Sequence, residues 1–325
     1  MLKKGFLVSK APIVFLVCLA VIMGVMAGEA FAKEKKKILI LLFHSRQPSE
    51  ENFMRVVERE YDVDWTEVTA NRSKDKAREI LEAINPGDYD LVYCYGTSVA
   101  QLGREIIADK KGMTAVFCNV YNPVSAKVVD SWERPGARIV GGSIIVPIDA
   151  QIKVLRQLRN VKRLGVVYNP DEKNGLIAWE EAEGAQSKFG YTAIPVHYKG
   201  PDDVEKAISI LKDSNADAAL LTACSSIIAK PEPLNNALAE IKIPSISSLT
   251  AVGKKGALLA LGVDYGKLGA KVGEAAVRIL KGEDARNMPT VRLEKFDLVV
   301  NLKTADKMGI KMPVRLLRTA SEVVK

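Results

Sequence analysis

Short, wholly apolar runs alternate with amphipathic segments along this chain, and the whole pattern occurs twice. Lys36 to Phe43 (KKILILLF) opens it. A strand with one wet face alternates apolar and polar residues, whereas an unbroken apolar run bounded by turn residues marks a strand covered on both faces, as in a parallel sheet flanked by helices. Pro48-Ser49 begins an amphipathic segment, Glu50 to Glu60, and Val63 and Trp65 alternate with acids in the next strand. Ser73 stands where it can cap a helix whose Ala77, Ile80, Leu81 and Ile84 share one face, and Asn85-Pro86-Gly87 stops that helix. Leu91–Tyr95, Met113–Cys118 and Ile139–Val146 read as further strands, with Ser98 and Gln101 forming a capping box between the first two. The rhythm restarts at Leu164–Tyr168. Asn169-Pro170 breaks the strand, a helix runs to about Phe189, and strands follow at Thr192–Val196, Ala218–Thr222 and Ile243–Ser247. Two rounds of β-α units in 325 residues predict two α/β lobes with parallel sheets.

The tail breaks the rhythm. Ala257–Val263 reads as a strand, Asp264–Lys281 as a long helix with Asp264 as its N-cap, and Asp297–Asn301 as a last strand before a short helix at Thr304. Neither lobe is complete without these pieces, so each is expected to be discontinuous in sequence. Gly141 and Gly142 fall within a strand run and are read as easing a backbone crossing between lobes.

The first thirty-two residues read as a cleavable secretory signal. Lys3, Lys4 and Lys10 form a basic start, Ala11 to Met26 is almost wholly apolar, and Ala30-Phe31-Ala32 sets small residues where a signal peptidase reads, with cleavage after Ala32. The apolar run is shorter than the roughly 20 residues that span a bilayer. Small residues, not basic ones, follow it. Cys18 lacks the preceding small residue of a lipoprotein signal. These features predict a soluble, exported protein in the periplasm.

Beyond residue 32 the chain carries Cys94, Cys118 and Cys224, an odd number, so at least one thiol is unpaired. Cys94 and Cys118 can pair only if neighbouring strands bring them together, and buried free thiols are the preferred reading. Lys plus Arg number 47 against 39 for Asp plus Glu, a net +8, which tolerates an anionic membrane surface but does not indicate nucleic acid. With two histidines in the chain and no GxSxG, HExxH or CxxC spacing, hydrolytic triads, zinc catalysis and thiol redox chemistry have little to draw on. We therefore expect no enzyme activity, no metal and no cofactor.

In parallel α/β sheets a ligand sits beyond the carboxyl ends of the strands. Those ends hold Ser45 and Arg46; Gly96, Thr97 and Ser98; Asn119, Tyr121 and Asn122; Tyr168 and Asn169; Thr222, Cys224 and Ser225; and Ser247. Hydroxyls and amides here also suit N-caps. As a set on two facing lobes they predict a ligand cleft. Tyr95, Tyr121 and Tyr168 are its expected stacking faces, and Arg46 an expected partner for an acid.

Several motifs resemble those of the substrate-binding proteins of ABC importers, in particular the tryptophan- and tyrosine-binding group with the type I periplasmic-binding fold. The likeness runs from about Lys37 to Pro313 and is most specific at GALLALGVDYGKLG (256–269) and VVNLKTADKMGI (299–310). Gly96-Thr97-Ser98-Val99-Ala100 is similar to the group's GT-x-x-A turn, and Asn122-Pro123-Val124 to its D-P-V with Asn for Asp. The resemblance implies two Rossmann-like lobes joined by three crossovers, residues 37–147 with 250–286 and residues 148–249 with 287–318. Ligand capture would proceed by hinge closure, the protein working as a monomer that docks on an ABC permease. A periplasmic sensory protein signalling to a membrane receptor or kinase is the alternative on the same fold. The group's amino-acid binders usually carry an Asp after the strand equivalent to Ala218–Thr222, where this chain reads Thr222-Ala223-Cys224-Ser225-Ser226. A buried ammonium without a counter-charge is costly, so the expected ligand is amino-acid-like or planar, with an acidic or neutral polar end, and not a free α-amino acid.

Overall fold

The computed structural model describes residues 33–325, so the expected signal at 1–32 lies outside the described residues. Its thirteen strands form two sheets, each with a doubly wound order. The first sheet takes β1 (Lys35–Leu42), β2 (Asp62–Thr69), β3 (Leu91–Tyr95), β4 (Ala115–Val120), β5 (Ile139–Ser143) and, from far along the chain, β11 (Val291–Arg292). Their spatial order is β11-β5-β4-β3-β1-β2, all parallel. The second sheet takes β6 (Arg163–Tyr168), β7 (Thr192–His197), β8 (Ala218–Leu221), β9 (Ser245–Ser247), β10 (Leu259–Gly262), β12 (Asp297–Asn301) and β13 (Glu322–Val324). Their order is β13-β12-β10-β9-β8-β6-β7, parallel except where β10 meets β12.

The apolar runs do what their pattern demands. Every residue of β3 and β4 is buried, as are Ile38 to Leu42 of β1, with helices covering both faces. β2, at the edge, alternates between exposed and half-buried positions, which is why its sequence mixes Val and Trp with acids. Ser73 and Asp264 cap their helices as expected, each side-chain oxygen accepting from the backbone N–H three residues on.

The tail is shared between the lobes differently from the expected boundaries. Residues 250–262 are expected in the first lobe, but β10 pairs with β9 and β12, and the helix Thr250–Lys254 packs on β9, β10 and β12. The chain returns to the first lobe only at Val263-Asp264. There the helix Tyr265–Leu280 lies along the helix Pro48–Glu58 so closely that a Cβ on Gly269 would stand 2.0 Å from the Ser49 carbonyl oxygen. Residues 291–292, assigned to the second lobe, form β11 in the first.

Gly141 and Gly142 do not mark a crossing either. They lie within β5, where a Cβ on Gly141 would meet the Phe117 carbonyl oxygen at 1.9 Å and one on Gly142 would meet Val272 at 2.7 Å. Crowding by β4, whose register shifts between Phe117 and Val120, and by the long helix explains both. The capping box at Ser98 and Gln101 is absent. Tyr95, not Ser98, is the N-cap of the helix Gly96–Leu102 and gives it no side-chain cap, and the Gln101 amide donates to the Ala126 carbonyl instead. Cys94, Cys118 and Cys224 are free and buried.

Candidate functional site

The carboxyl ends of the two sheets face one another across a cleft. From the first lobe come Phe43 and His44 after β1, Tyr95 to Ser98 after β3, Asn119 and Tyr121 after β4, and Ile144 after β5. From the second come Glu172 and Asn174 after β6, and Ala223, Ser225 and Ile228 after β8. Tyr265 enters at the chain crossing. The space enclosed by these walls is about 40 Å³, room for about three water molecules, and two larger spaces of about 440 and 460 Å³ flank it between the lobes.

Aromatic rings dominate the first-lobe wall. Tyr95 and His44 meet edge to face, their centroids 4.8 Å apart. Burial raises the Tyr95, Tyr121 and Tyr265 phenols above their ordinary range and lowers the His44 imidazole, so these rings are neutral near pH 7. Gly96 holds φ +79°, the left-handed conformation that lets the chain turn from β3 directly into its helix and face Thr97 and Ser98 to the cleft.

Asn119 also adopts positive φ, 59°, at the shift in β4. Its amide is fixed from behind. Nδ2 donates to Ser49 Oγ at 2.7 Å, and Ser49 Oγ donates to Glu50 Oε1 at 2.8 Å. Glu50 is fully buried, and Tyr93 Oη and the Gln47 backbone N–H also donate to its carboxylate. Burial raises the Glu50 carboxyl above its usual range, and these donors oppose the shift. With Nδ2 committed to Ser49, Asn119 offers its Oδ1 toward Cys118 and the cleft.

On the second-lobe wall Glu172 supplies the acid. Its Oε2 accepts the Ser225 N–H at 2.7 Å; its Oε1 accepts the Ser226 N–H at 3.2 Å and Asn169 Nδ2 at 3.0 Å. One carboxylate thus ties the turn after β6 to the turn after β8, with about one lone-pair position to spare.

Six of the fourteen residues expected at the site line this cleft: Gly96, Thr97, Ser98, Asn119, Tyr121 and Ser225. The other eight do not. Ser45 is exposed, and Arg46 turns outward to pair with Glu67 on β2. Asn122 reaches across to Glu181. Tyr168 stacks on Trp179, centroids 5.6 Å apart, and bonds His197, outside the lining of this cleft. Asn169, Thr222 and Cys224 form a buried knot behind the wall. Thr222 Oγ1 donates to the Val167 carbonyl at 2.9 Å, and Cys224 Sγ accepts the Asn169 N–H at 3.3 Å. Ser247 donates to the Leu221 carbonyl. Phe43, His44, Tyr95, Glu172, Asn174 and Tyr265 join those six in the lining, with Ile144, Ala223 and Ile228. Glu172 and Asn174 lie two and four residues beyond Pro170, at the start of the helix Lys173–Gly184, so reading each strand end a few residues further would have reached them. Among the described residues no cluster of three or more His, Cys, Asp or Glu side chains is placed to hold a metal ion, and no helix is long and apolar enough to cross a membrane.

Known proteins share this architecture. The tyrosine-binding protein of Clostridioides difficile (strain R20291) is 29% identical over 223 residues, a match taking in 68% of this chain and 64% of that relative's length, just under two thirds. A solved ABC domain in complex with L-Trp from Streptococcus pneumonia superposes with a TM-score of 0.81 at 23% identity, covering 90% of this chain and all of that one. The ligand-free, open structure of a substrate binding protein with adhesive properties from Clostridium difficile gives 0.70 at 25% identity, covering 89% of this chain and 99% of that one. The family model of ABC transporter substrate binding proteins matches residues 56–324, nearly the whole described chain. Two doubly wound lobes, a cleft at their facing strand ends and this match together make the chain a member of the ABC transporter substrate binding protein family.

Proposed function

We propose that this protein captures an aromatic α-amino acid between its lobes and delivers it to the permease of an ABC importer. The observation that carries this reading is the meeting, in one cleft, of Phe43, Tyr95, Tyr121 and Tyr265 with the single carboxylate of Glu172. Rings supply apolar area and edge-to-face contacts for a planar side chain. Glu172, on the opposite wall, is the counter-charge for an ammonium. The hydroxyls of Thr97 and Ser98, at the start of a helix, are donors for a carboxylate. The expectation that a free α-amino acid is excluded rested on the missing Asp after β8. Glu172, reaching the same turn from β6, removes that premise. The tyrosine-binding relative and the L-Trp complex carry ligands of this class.

In this reading the lobes part to admit ligand and close around it. The protein is not an enzyme, carries no cofactor, does not bind nucleic acid and works as a monomer. Residues 1–32 take it to the periplasm and are removed after Ala32, which the intact mass of the exported protein checks. Calorimetric titration with L-tryptophan, L-tyrosine and their des-amino analogues tests the ligand class. The amino acids are expected to bind at least about tenfold more tightly than analogues lacking the ammonium, the worth of one hydrogen bond to a charged group. Equal or tighter binding of the des-amino acids overturns the proposal and returns the ligand to a planar acid.

A further inference from the structure

Glu181 lies on the second lobe, in the helix Lys173–Gly184, yet both of its oxygens are spent on the first lobe. Tyr121 Oη donates to Oε2 at 2.8 Å and Asn122 Nδ2 donates to Oε1 at 2.7 Å. Away from the segments where the chain itself crosses, these are the side-chain hydrogen bonds that join one lobe to the other among the described residues, and no ion pair among them does so. Glu181 accepts no side-chain bond from its own lobe, so nothing in that lobe's fold depends on its carboxylate.

Tyr121 links this contact to the cleft. Its ring is part of the cleft wall while its hydroxyl is held by Glu181. Its backbone is fixed on both sides: the Tyr121 N–H donates to Thr97 Oγ1 at 3.4 Å, and Ser143 Oγ donates to the Tyr121 carbonyl at 2.7 Å. The ring is therefore anchored at its base by the first lobe and at its tip by the second. Parting of the lobes breaks both bonds to Glu181 together and frees the tip of the ring.

We propose that Glu181 is the clasp of the closed form, a positioning residue that holds the lobes shut and sets the Tyr121 ring against the ligand. The proposal rests on the reading that the lobes open and close, but not on which ligand they take. Two charge-assisted hydrogen bonds made only on closure favour the closed state directly, whatever else the cleft holds. A clasp of this kind lets the protein sample closure before ligand arrives and raises affinity by enlarging the binding-competent fraction.

The test reads the lobe separation itself. Spin labels at Glu133→Cys and Ser187→Cys, both exposed, one on each lobe and outside the cleft, report the distance by pulsed dipolar spectroscopy, while the native thiols stay buried and unlabelled. The unmodified protein is expected to show a short-distance population with no ligand added. Glu181→Ala is expected to lower the short-to-long ratio by about tenfold or more, from the loss of two bonds to a charged acceptor. Glu181→Gln can still accept from Asn122 and donate to the Tyr121 oxygen, and is expected to restore part of the ratio; Tyr121→Phe is expected to fall between. The melting temperature of Glu181→Ala is expected to stay within a degree or two of the unmodified protein. An unchanged ratio in Glu181→Ala, an unmodified protein with no short-distance population, or a variant that melts far lower each overturns the proposal. Since no ligand is added, failure of L-tryptophan or L-tyrosine to bind leaves this result unaffected.

Discussion

Replacing Ser49 with Ala removes one hydroxyl from the chain of bonds behind the cleft. Ser49 is fully buried, donates to Glu50 at 2.8 Å and accepts from Asn119 at 2.7 Å. The first bond ends on a buried carboxylate and is worth about 1.5–3 kcal/mol, the second about 1 kcal/mol, so Ser49→Ala is expected to cost about 3 kcal/mol near pH 7. For a lobe of this size that lowers the melting temperature by about 6–12 °C, read by circular dichroism. The cost depends on pH. Burial holds the Glu50 carboxyl above its ordinary 4.5 in the folded protein, so the folded chain keeps a proton that the unfolded chain has lost. Stability therefore falls as pH rises from about 4.5 through the folded value. Removing a donor raises that value further, so the penalty of Ser49→Ala widens across this window and is smallest below pH 4.5, where Glu50 is protonated in both proteins. A loss under about 1 kcal/mol at pH 7, or one independent of pH, would refute the reasoning.

The thiols give a second expectation. Cys94 and Cys224 are buried, with their thiols pushed up to about 12, and Cys118 is raised as well. All three should resist a thiol reagent at pH 8 in the folded protein and react in full once denaturant is added; fast reaction of any one in the native state contradicts its burial. Arg46→Ala, which removes an exposed pair with Glu67, is expected to change stability by less than about 1 kcal/mol and ligand affinity not at all in calorimetric titration.

Much of the fold was legible because it depends on local pattern. The short unbroken apolar run at Ile38–Leu42, bounded by polar residues, reads as a strand covered on both faces, and Ser73 and Asp264 could be read as caps from the residues that follow them. The cleft was legible where the rule of strand ends sufficed, as at Gly96–Ser98 and Asn119. It failed where side-chain direction decides. Tyr168 ends a strand as Tyr95 does, but it packs on Trp179 and His197, which no spacing reveals. Arg46 follows the same strand as Phe43, yet Glu67, brought alongside by the pairing of β1 with β2, draws it out to solvent. The sheet that takes β10 depends on its bonds to β9 and β12, and the apolar run Ala257–Val263 carries no sign of its partners. Glu172 was missed because the acid was sought after β8, whereas it arrives from β6 and reaches that turn through space.

The interleaving of the two lobes has a consequence for how the chain is made. The first sheet lacks the helix Tyr265–Leu280 and β11 until residue 292 has been synthesised, and the second lacks β13 until Val324. Domains of a growing chain ordinarily fold one after another, the N-terminal one first. Here the first lobe cannot be finished before most of the second has been made: the helix that covers β4 and β5 and packs on Pro48–Glu58 comes more than two hundred residues after that segment. Nascent chains of this design have five of the first sheet's six strands by Ser143, yet the face that Tyr265–Leu280 covers stays open while more than a hundred further residues are made.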